Sequence, residues 1–359
     1  MASTGVKNQQ ILDLINHSLA HFKNRGKFET YFDLQNYPVC DHWFAEDRYG
    51  VQNGNRIEWR VMPDPGNGSF KFVHKMETTD RPYRNVMQKA SAEWCYAEAK
   101  AVYEARTMKE MRGESELYDY LEAIFFDALQ DALDGIEQSA FDTPDSSGDD
   151  KTPIGVPYWI NFLNSGTTDP DGQFGGQTAI YGDASTTTAV GGLSTQTYSK
   201  HRNWAFTHSG MNMITMDAMR RAMIKTTFKP PRNVKQYYKQ PTSRFAIYSS
   251  LDYQAEYERL VNQGPDNRNG DLNPFAGALT FRGADWVGAA VLDDKALNPI
   301  YGIDRNNFKP VVHEAWWFTE TEPMNDQDNP HLYVVQWDFQ FNYILENKRR
   351  GCFVGHNAA

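Results

Sequence analysis

The stretch that most constrains this 359-residue chain runs from Gly113 to Trp159. Within it, ELYDYLEAIFFDALQDALDGIEQSAF has the period of one long amphipathic helix. Ser115 can cap its start, and Glu114 and Glu116 suit the positive end of the helix dipole. About 26 residues at roughly 1.5 Å each predict a helix on the order of 40 Å long, about twice the usual length of a helix in a globular protein. A long core helix in some other mixed domain would give the same pattern, so the helix alone does not identify the fold.

The apolar side chains of this helix recur at steps of three and four residues, which predicts one buried face. The stripe consists of Leu117, Leu121, Ile124, Ala128, Ala132 and Ile136. Phe125, Leu129 and Leu133 are predicted to widen it. After the helix comes the acidic Ser/Gly turn DTPDSSGDDK, and then TPIGVPYWI, which reads as a strand with prolines at its edges.

Upstream of the helix the sequence predicts an arm and a hairpin. Residues 6–24 have the pattern of a short amphipathic helix, and residues 24–47 carry aromatic side chains without a clear period, as in an arm that packs on something else. These aromatic residues are Tyr31, Phe32, Tyr37, Trp43 and Phe44. Arg56 to Met62 reads as a strand, PDPGNG as a tight turn and Ser69 to Met76 as the returning strand.

The segment KASAEWCYAEAKAVYEA has two readings. Its Ala, Glu and Lys content is typical of a helix, whereas Trp94, Tyr96, Glu98 and Lys100 alternate with small residues, as in a strand. We favour an extended strand for part of it.

Downstream, strands predominate over helices. Residues 164–197 read as a long polar loop, residues 212–227 and 252–262 as helices, and five segments as strands or strand pairs. These strand segments are 244–250, 279–292, 300–302, 311–318 and 331–347. In the last of them, alternation places four aromatic residues on one face: Trp337, Phe339, Phe341 and Tyr343. Because these strands follow no regular βαβ order, the sequence predicts an α+β fold.

Composition excludes several classes of protein. The formal net charge of −10 disfavours nucleic-acid binding over a broad basic face. No apolar run approaches the roughly 18 residues of a membrane helix, and we expect MASTGVKNQQ not to be a secretory signal. The three scattered cysteines, Cys40, Cys95 and Cys352, form no metal spacing, and we interpret them as buried thiols in a reducing cytosol. An aromatic content of 14% is high enough to supply large interfaces.

The sequence contains no phosphate-binding loop, no dinucleotide-binding glycine motif and no nucleophile elbow. His17 and His21 have half of a metal-site spacing, but no third ligand lies nearby, so we interpret them as surface histidines. His313-Glu314 beside Trp316-Trp317 is the most site-like cluster, and we favour a packed strand there. We therefore predict no catalytic residue, no cofactor and no metal site.

The order of these segments resembles the major capsid proteins of tailed bacteriophages, which have the Johnson fold. The resemblance lies in the aromatic hairpin, the long helix, the PIGVPYWI strand, and a GGLST segment followed by Tyr198, Arg202, Asn203 and Trp204. It continues through RFAIYSS with DYQAEYERLV, and then FRGADWVGAAVLDD and NPIYGIDRNNFKPVVHEAWWF. It covers roughly residues 50 to 350.

The resemblance implies an α+β fold with an N-terminal arm, an extended β-hairpin loop, a peripheral domain with a long spine helix, and an axial domain. The implied ranges are 1–50 for the arm, 51–106 for the extended loop, 107–209 for the peripheral domain, 210–310 for the axial domain and 311–359 for the return to the peripheral sheet. Structural or assembly roles are then expected for Leu117, Leu121, Ile124, Phe125, Leu129, Leu133, Trp94, Tyr96 and Trp204.

The implied function is that of a structural subunit that self-assembles into pentamers and hexamers of an icosahedral head in the host cytoplasm, and encloses double-stranded DNA without sequence-specific binding. Scaffold, portal and decoration proteins are candidate partners, and a membrane is not. The region ahead of the extended loop is expected to be too short for a large fused scaffolding domain. Two alternatives stay open: an encapsulin-like nanocompartment shell, which would need a groove for a cargo peptide, and a carbohydrate-binding or carbohydrate-active protein, suggested by the Trp and Tyr content.

Overall fold

A computed structural model describes most of the chain. The described residues are 37–44, 48–52, 54–63, 72–76, 87–110, 114–163, 166–182, 186–227, 244–263, 279–326 and 329–357, with the backbone alone at 109, 114–119 and 261–263. The helix predicted over residues 6–24, with His17 and His21, lies outside them, as do Tyr31 and Phe32.

Six helices of four or more residues are assigned among the described residues, the first of them a π-helical turn, and a 3-10 turn is assigned at Ala290–Leu292. They are α1 (Val39–Phe44), α2 (Ala105–Glu110), α3 (Glu114–Ala140), α4 (Val156–Trp159), α5 (Met213–Thr226) and α6 (Leu251–Gln263).

Eighteen strands are assigned in the same part of the chain. They are β1 (Tyr49–Val51), β2 (Ile57–Val61), β3 (Gln88–Ala92), β4 (Cys95–Glu104), β5 (Gln173–Gly176), β6 (Ala179–Ile180), β7 (Thr186–Thr187), β8 (Ala189–Val190), β9 (Leu193–Ser194), β10 (Asn203–His208), β11 (Phe245–Ser249), β12 (Thr280–Phe281), β13 (Ala284–Gly288), β14 (Ile300–Asp304), β15 (Phe308–Glu320), β16 (Met324–Asn325), β17 (Leu332–Leu345) and β18 (Phe353–Asn357).

Two large sheets contain most of these strands. In the first, β17 pairs antiparallel with β4 along one edge and with β15 and then β16 along the other, and β1 adds to β15 in parallel. The second has the order β12-β13-β11-β14-β18-β10-β5 and mixes parallel with antiparallel pairs. Strands and helices do not alternate in βαβ units, so the α+β prediction is confirmed.

The long helix α3 packs on the first sheet. Its buried Phe125 contacts Tyr103 of β4, with ring centroids 5.2 Å apart, and Trp337 of β17 at 5.7 Å. Full burial of such a side chain contributes roughly 1.5–3 kcal/mol. The helix ends at Ala140, four residues before Pro144, which would not allow it to continue. The prediction of one long helix is confirmed.

One residue of the predicted stripe is not in the core. Leu133 is 41% exposed, whereas Leu121 and Phe125 are fully buried and Ile124 and Leu129 are partly buried. At about 100° per residue, Leu133 lies about 80° around the helix from Phe125, at the edge of the buried face. Leu117 lies in α3, but its side chain is outside the described part.

Helices α5 and α6 both cover one face of the second sheet. The cluster beneath them includes Met219 of α5, Tyr257 of α6 and side chains of the strands, among them Phe206, Ile247 and Trp286. The opposite face of the sheet packs into the core that also contains α3. The helices predicted over 212–227 and 252–262 are thus confirmed, as is the strand over 331–347, where all four alternating aromatic residues are buried.

The PIGVPYWI prediction is wrong. Val156–Trp159 forms the short helix α4, in which Ile160 N donates to Val156 O at 2.8 Å. Pro157 lies in its first turn, where a missing amide hydrogen costs nothing and the fixed φ favours a helix. Apolar content alone does not separate a short buried helix from a buried strand.

The predicted partner of the first hairpin strand is also wrong. β2 pairs antiparallel with β3, from Ile57↔Ala92 to Val61↔Gln88, and residues 72–76 are not in a strand. The predicted PDPGNG turn, apart from Pro63, and the first residues of its predicted returning strand (69–71) lie outside the described residues. The second reading of KASAEWCYAEAKAVYEA is confirmed, because β3 and β4 are both strands.

The end of the predicted arm is buried in the chain's own core. Trp43 and Phe44 of α1 are buried, and Phe44 stacks on Trp317 with ring centroids 4.9 Å apart. The expectation that these two aromatic residues pack on something else is wrong. Without a period, the sequence offered no sign of which surface they cover.

Candidate functional site

The structure does not collect the predicted site residues into one cavity. Trp94 is buried and donates from Nε1 to Gly54 O at 2.8 Å, whereas Tyr96 is 72% exposed on the outer face of β4. Trp204 is buried in the second sheet, where Phe174 meets it edge-on at 5.0 Å. Of the predicted residues, Trp94, Trp204 and most of those in α3 therefore lie in the core, and Tyr96 lies on the surface. Their role in assembly stays a prediction.

Helix α1 is attached to α3 by a buried carboxylate. Glu137 accepts the backbone amide hydrogens of Val39 (3.0 and 3.2 Å) and Cys40 (3.2 Å). These bonds satisfy amides at the start of α1 that have no partner within the helix. Burial raises the pKa of Glu137 to about 7 despite the amide bonds. This contact fixes the N-terminal part of the described chain on the long helix.

A second buried polar cluster joins three distant segments. Asn161 N donates to Asn203 Oδ1 at 2.9 Å, and Asn203 Nδ2 donates back to Asn161 O at 2.8 Å. Lys348 Nζ donates to Asn161 Oδ1, and burial lowers the pKa of this lysine to about 7. Nearby, Leu163 N donates to His356 Nε2 at 3.2 Å. The cluster is sealed from solvent, so it can organise the chain but offers no access to a substrate.

The described residues offer no arrangement for metal or thiol chemistry. Among them, no group of three or more His, Cys, Asp or Glu side chains could hold a metal ion. Burial raises the pKa of Cys95 and of Cys352 to about 12, so both are unreactive thiols near neutral pH. His313 of β15 meets the Trp94 ring edge-on at 5.7 Å, whereas Glu314 and Trp316 are exposed. The predicted strand is therefore confirmed, but only part of this cluster is packed. None of the described helices is long and apolar enough to cross a membrane.

The paired strands β2 and β3 are attached to the rest of the chain, and the segment beyond them exposes apolar side chains. Trp59 packs on Trp159 with ring centroids 5.8 Å apart, and Ser91 N donates to Gly191 O at 3.2 Å. Gly191 has a φ of +61°, and a Cβ atom there would lie 2.9 Å from the Trp159 ring. Past the paired strands the described chain exposes five large apolar side chains: Met62, Phe72, Val73, Met76 and Met87. Exposed apolar side chains grouped in this way are typical of an interaction surface.

Two further apolar surfaces were not predicted from the sequence. Trp316 and Phe318 are exposed at a β-bulge in β15, where Phe318 has a φ of +56°. Ile214 and Ile224 are exposed on α5. In the sequence, the sign of the first surface was the adjacent pair Trp316-Trp317, because strict alternation in a strand buries one ring and exposes the other. In α5, the helical period places Ile214 and Ile224 on the polar side, where isoleucines are unusual.

Comparisons with known proteins identify the fold. No family model and no curated protein matches the chain. Among solved structures, it is similar to a chain of the cyanophage A-1(L) capsid asymmetric unit, with a TM-score of 0.63, 14% identity, and coverage of 93% of this chain and 96% of that one. A chain from Mycobacterium phage Bobi matches with a TM-score of 0.51, 9% identity, and coverage of 99% and 100%. A chain from the asymmetric unit of the bacteriophage PhiM1 mature capsid matches with a TM-score of 0.50, 11% identity, and coverage of 93% and 90%. The chain therefore has the Johnson fold of phage capsid subunits.

Proposed function

We propose that this chain is the structural subunit of an icosahedral phage head, which self-assembles into pentamers and hexamers and encloses double-stranded DNA. The observation that carries the proposal is the likeness to the cyanophage capsid chain over 93% of this chain and 96% of that one.

Exposed apolar surface supports the same proposal. The hairpin beyond β2 and β3, the bulge in β15 and the outer face of α5 each expose large apolar side chains, the extreme being Met76 at 96%. Burying such side chains between copies would stabilise a shell by roughly 25 cal/mol per Å² of apolar surface. Many identical subunits would then add avidity to each weak contact.

We also propose the division of the chain that the resemblance implies. The β2–β3 hairpin supports an extended loop at 51–106, and α3 supports a peripheral domain at 107–209. The helices α5 and α6 on the second sheet support an axial domain at 210–310, and β15 with β17 supports a return at 311–359. Strands β5, β10 and β18, from the flanking ranges, belong to this second sheet as well.

The proposed partners are further copies of the chain, with scaffold, portal and decoration proteins as candidates. The net charge of −10 supports a container that encloses DNA without binding its sequence. The proposed location is the virion, after assembly in the host cytoplasm.

Sedimentation velocity of the purified chain tests this function. We expect capsomers or closed shells in a concentration-dependent equilibrium with monomer. A double variant, Met76→Ser with Met87→Ser, should shift that equilibrium towards monomer without lowering the melting temperature, because both side chains are exposed in the single chain. A stable monomer at high concentration, with or without a scaffold protein, would contradict the proposal.

A further inference from the structure

The outer face of α5 is apolar and basic. The helix buries Ala218, Met219, Ala222 and Met223 against the second sheet. On the opposite side, Ile214 is 68% exposed and Ile224 is 58% exposed, and the exposed charged residues between and beside them are Asp217, Arg220, Arg221 and Lys225. Arg220 pairs with Asp217 at 2.6 Å and Arg221 pairs with Asp171, so this face has one positive charge in excess, that of Lys225. Both pairs are exposed and therefore weak, so the arginines can exchange partners when a second carboxylate approaches. Two large isoleucines exposed on the same helix face favour an interaction surface.

An acidic cleft of about 460 Å³ opens where α6 begins. Its lining includes the carboxylates of Asp252, Glu256 and Asp293, and Arg259 is the one cation among its described lining residues. Burial, and then the negative charges of Asp252 and Asp294, raise the pKa of Asp293. A cation brought into the cleft would relieve this repulsion.

Within one chain the basic part of the α5 face and the cleft lie apart. Glu256 Oε2 accepts the amide hydrogen of Met211 at 3.3 Å, which places the cleft beside the start of α5. The helix then runs away from the cleft, and Lys225 lies twelve residues beyond Met213, or about 18 Å at 1.5 Å per residue. The two complementary surfaces can therefore meet only between copies.

We propose that the outer face of α5 in one subunit binds the acidic cleft at the start of α6 in the next subunit. This inference rests on the proposed function and names the surfaces of one subunit contact. Because the two surfaces differ, the contact is heterologous, and repeating it around an axis closes a ring. Arg220 and Lys225 would face the carboxylates, which fixes the register of the contact. Ile224 would pack on the exposed Ala255 of α6, which lines the same cleft.

Two charge-reversed variants test the contact. The first carries Arg220→Glu and Lys225→Glu on α5. The second carries Asp252→Lys and Glu256→Gln in the cleft, because a glutamine can still accept the amide hydrogen of Met211 while the cleft becomes positively charged. In either variant alone, both surfaces carry the same sign of charge, so we expect the concentration needed for assembly to rise about tenfold or more, since like charges at an interface are strongly unfavourable. Melting curves close to wild type would show that each variant folds.

Mixing the two variants gives the decisive result. In a ring of alternating variants every contact again joins opposite charges, so an equimolar mixture should form six-membered rings with three copies of each, seen by native mass spectrometry. An odd-numbered ring cannot alternate, so pentamers should stay absent. Variants that assemble alone like wild type, or a mixture that does not recover hexamers, would overturn the proposal.

A cross-linking experiment covers the case in which a reversed variant does not fold. The double variant Ile224→Cys with Ala255→Cys should give a ladder of disulfide-linked multimers on mild oxidation, and neither single variant should extend beyond a dimer. A double variant that assembles but gives no ladder would also overturn the contact. If the wild-type chain itself forms no capsomer, the proposed function fails instead, so the two failures can be told apart.

Discussion

Trp43 Nε1 donates a 2.7 Å hydrogen bond to the hydroxyl of Tyr248, a residue 205 positions further along the chain. The indole ring also packs edge-on against Phe308, with ring centroids 4.9 Å apart. This one side chain therefore joins the N-terminal part of the described structure to β11 of the second sheet and β15 of the first. We expect the bond to make the folding of the whole subunit depend on α1.

Removal of this ring should destabilise the subunit strongly. Trp43→Ala should lower the free energy of unfolding by about 3–5 kcal/mol, because the ring is fully buried. The matched control is Tyr49→Ala, at an exposed aromatic residue close in sequence, which should change it by no more than about 0.5 kcal/mol. Denaturant unfolding of the monomer checks both values. Equal effects of the two substitutions would contradict the position of Trp43 in the core.

Along α3, the loss of unfolding free energy on Leu→Ala substitution should follow the burial of each side chain. Leu121→Ala should cost about 2–5 kcal/mol, because Leu121 is fully buried. Leu129→Ala should cost less, since Leu129 is partly buried, and Leu133→Ala should cost least in the isolated chain. If Leu133→Ala proved as costly as Leu121→Ala in denaturant unfolding, the orientation of α3 would be wrong.

The buried carboxylate of Glu137 predicts a pH dependence of stability. Its pKa is raised from 4.5 to about 7 in the folded chain. Between these values the folded state holds the proton and the unfolded state does not. The stabilisation is therefore fully present below pH 4.5 and is lost as the pH rises through about 7. Glu137→Gln should flatten the stability profile between these limits when unfolding is measured at a series of pH values. An unchanged slope would contradict the assigned burial.

Lys348 predicts the opposite trend at higher pH. Burial lowers its pKa from 10.5 to about 7, so between these values the unfolded state binds more protons. Stability should therefore rise as the pH rises from about 7 to 10.5, and fall again as the pH falls towards 7. Lys348→Met should remove this rise, whereas Lys151→Met, at an exposed lysine, should leave it intact. If the stability of Lys348→Met still rose by the same amount between pH 7 and 10.5, the rise would come from other titratable groups.

We predict a shell without covalent bonds between subunits. A lysine must be neutral and desolvated to attack an amide, yet Lys89 pairs with Glu58 at 2.9 Å and Lys100 with Glu98 at 2.6 Å, all four side chains being exposed. Lys75 is exposed, and Lys71 lies outside the described residues. Particles boiled in denaturant with reductant should run as one band near the monomer mass of 41.1 kDa. A surviving ladder of multimers would point to one of these four lysines.

The sequence predicted those elements that have a strong period. The steps of three and four in α3 and the aromatic alternation in β17 are properties of single segments, and both predictions are confirmed. The order of segments was enough to indicate the fold. Predictions that depended on distant partners were wrong. Ser69 to Met76 was paired with β2 because it follows a tight turn, whereas the partner is β3, about 30 residues from β2 along the chain.

The surfaces were harder to predict than the core. Trp43 and Phe44 are buried by contacts with β11 and β15, which no local pattern encodes. In contrast, Ile214 and Ile224 are visible in the sequence as apolar residues on the polar side of α5, but only the sheet beneath the helix shows that they are left uncovered. Which face of a helix is covered depends on the tertiary structure, so the candidate assembly surfaces needed the fold.

Electron microscopy of the purified, assembled chain tests the proposed shell. We expect closed icosahedral particles, in whose reconstruction each subunit fits α3 and the two sheets as a single unit, with the exposed segment 72–76 beyond β2 lying on a neighbouring subunit. Particles without five- and six-fold capsomers, or a segment 72–76 that contacts only its own subunit, would contradict the proposal.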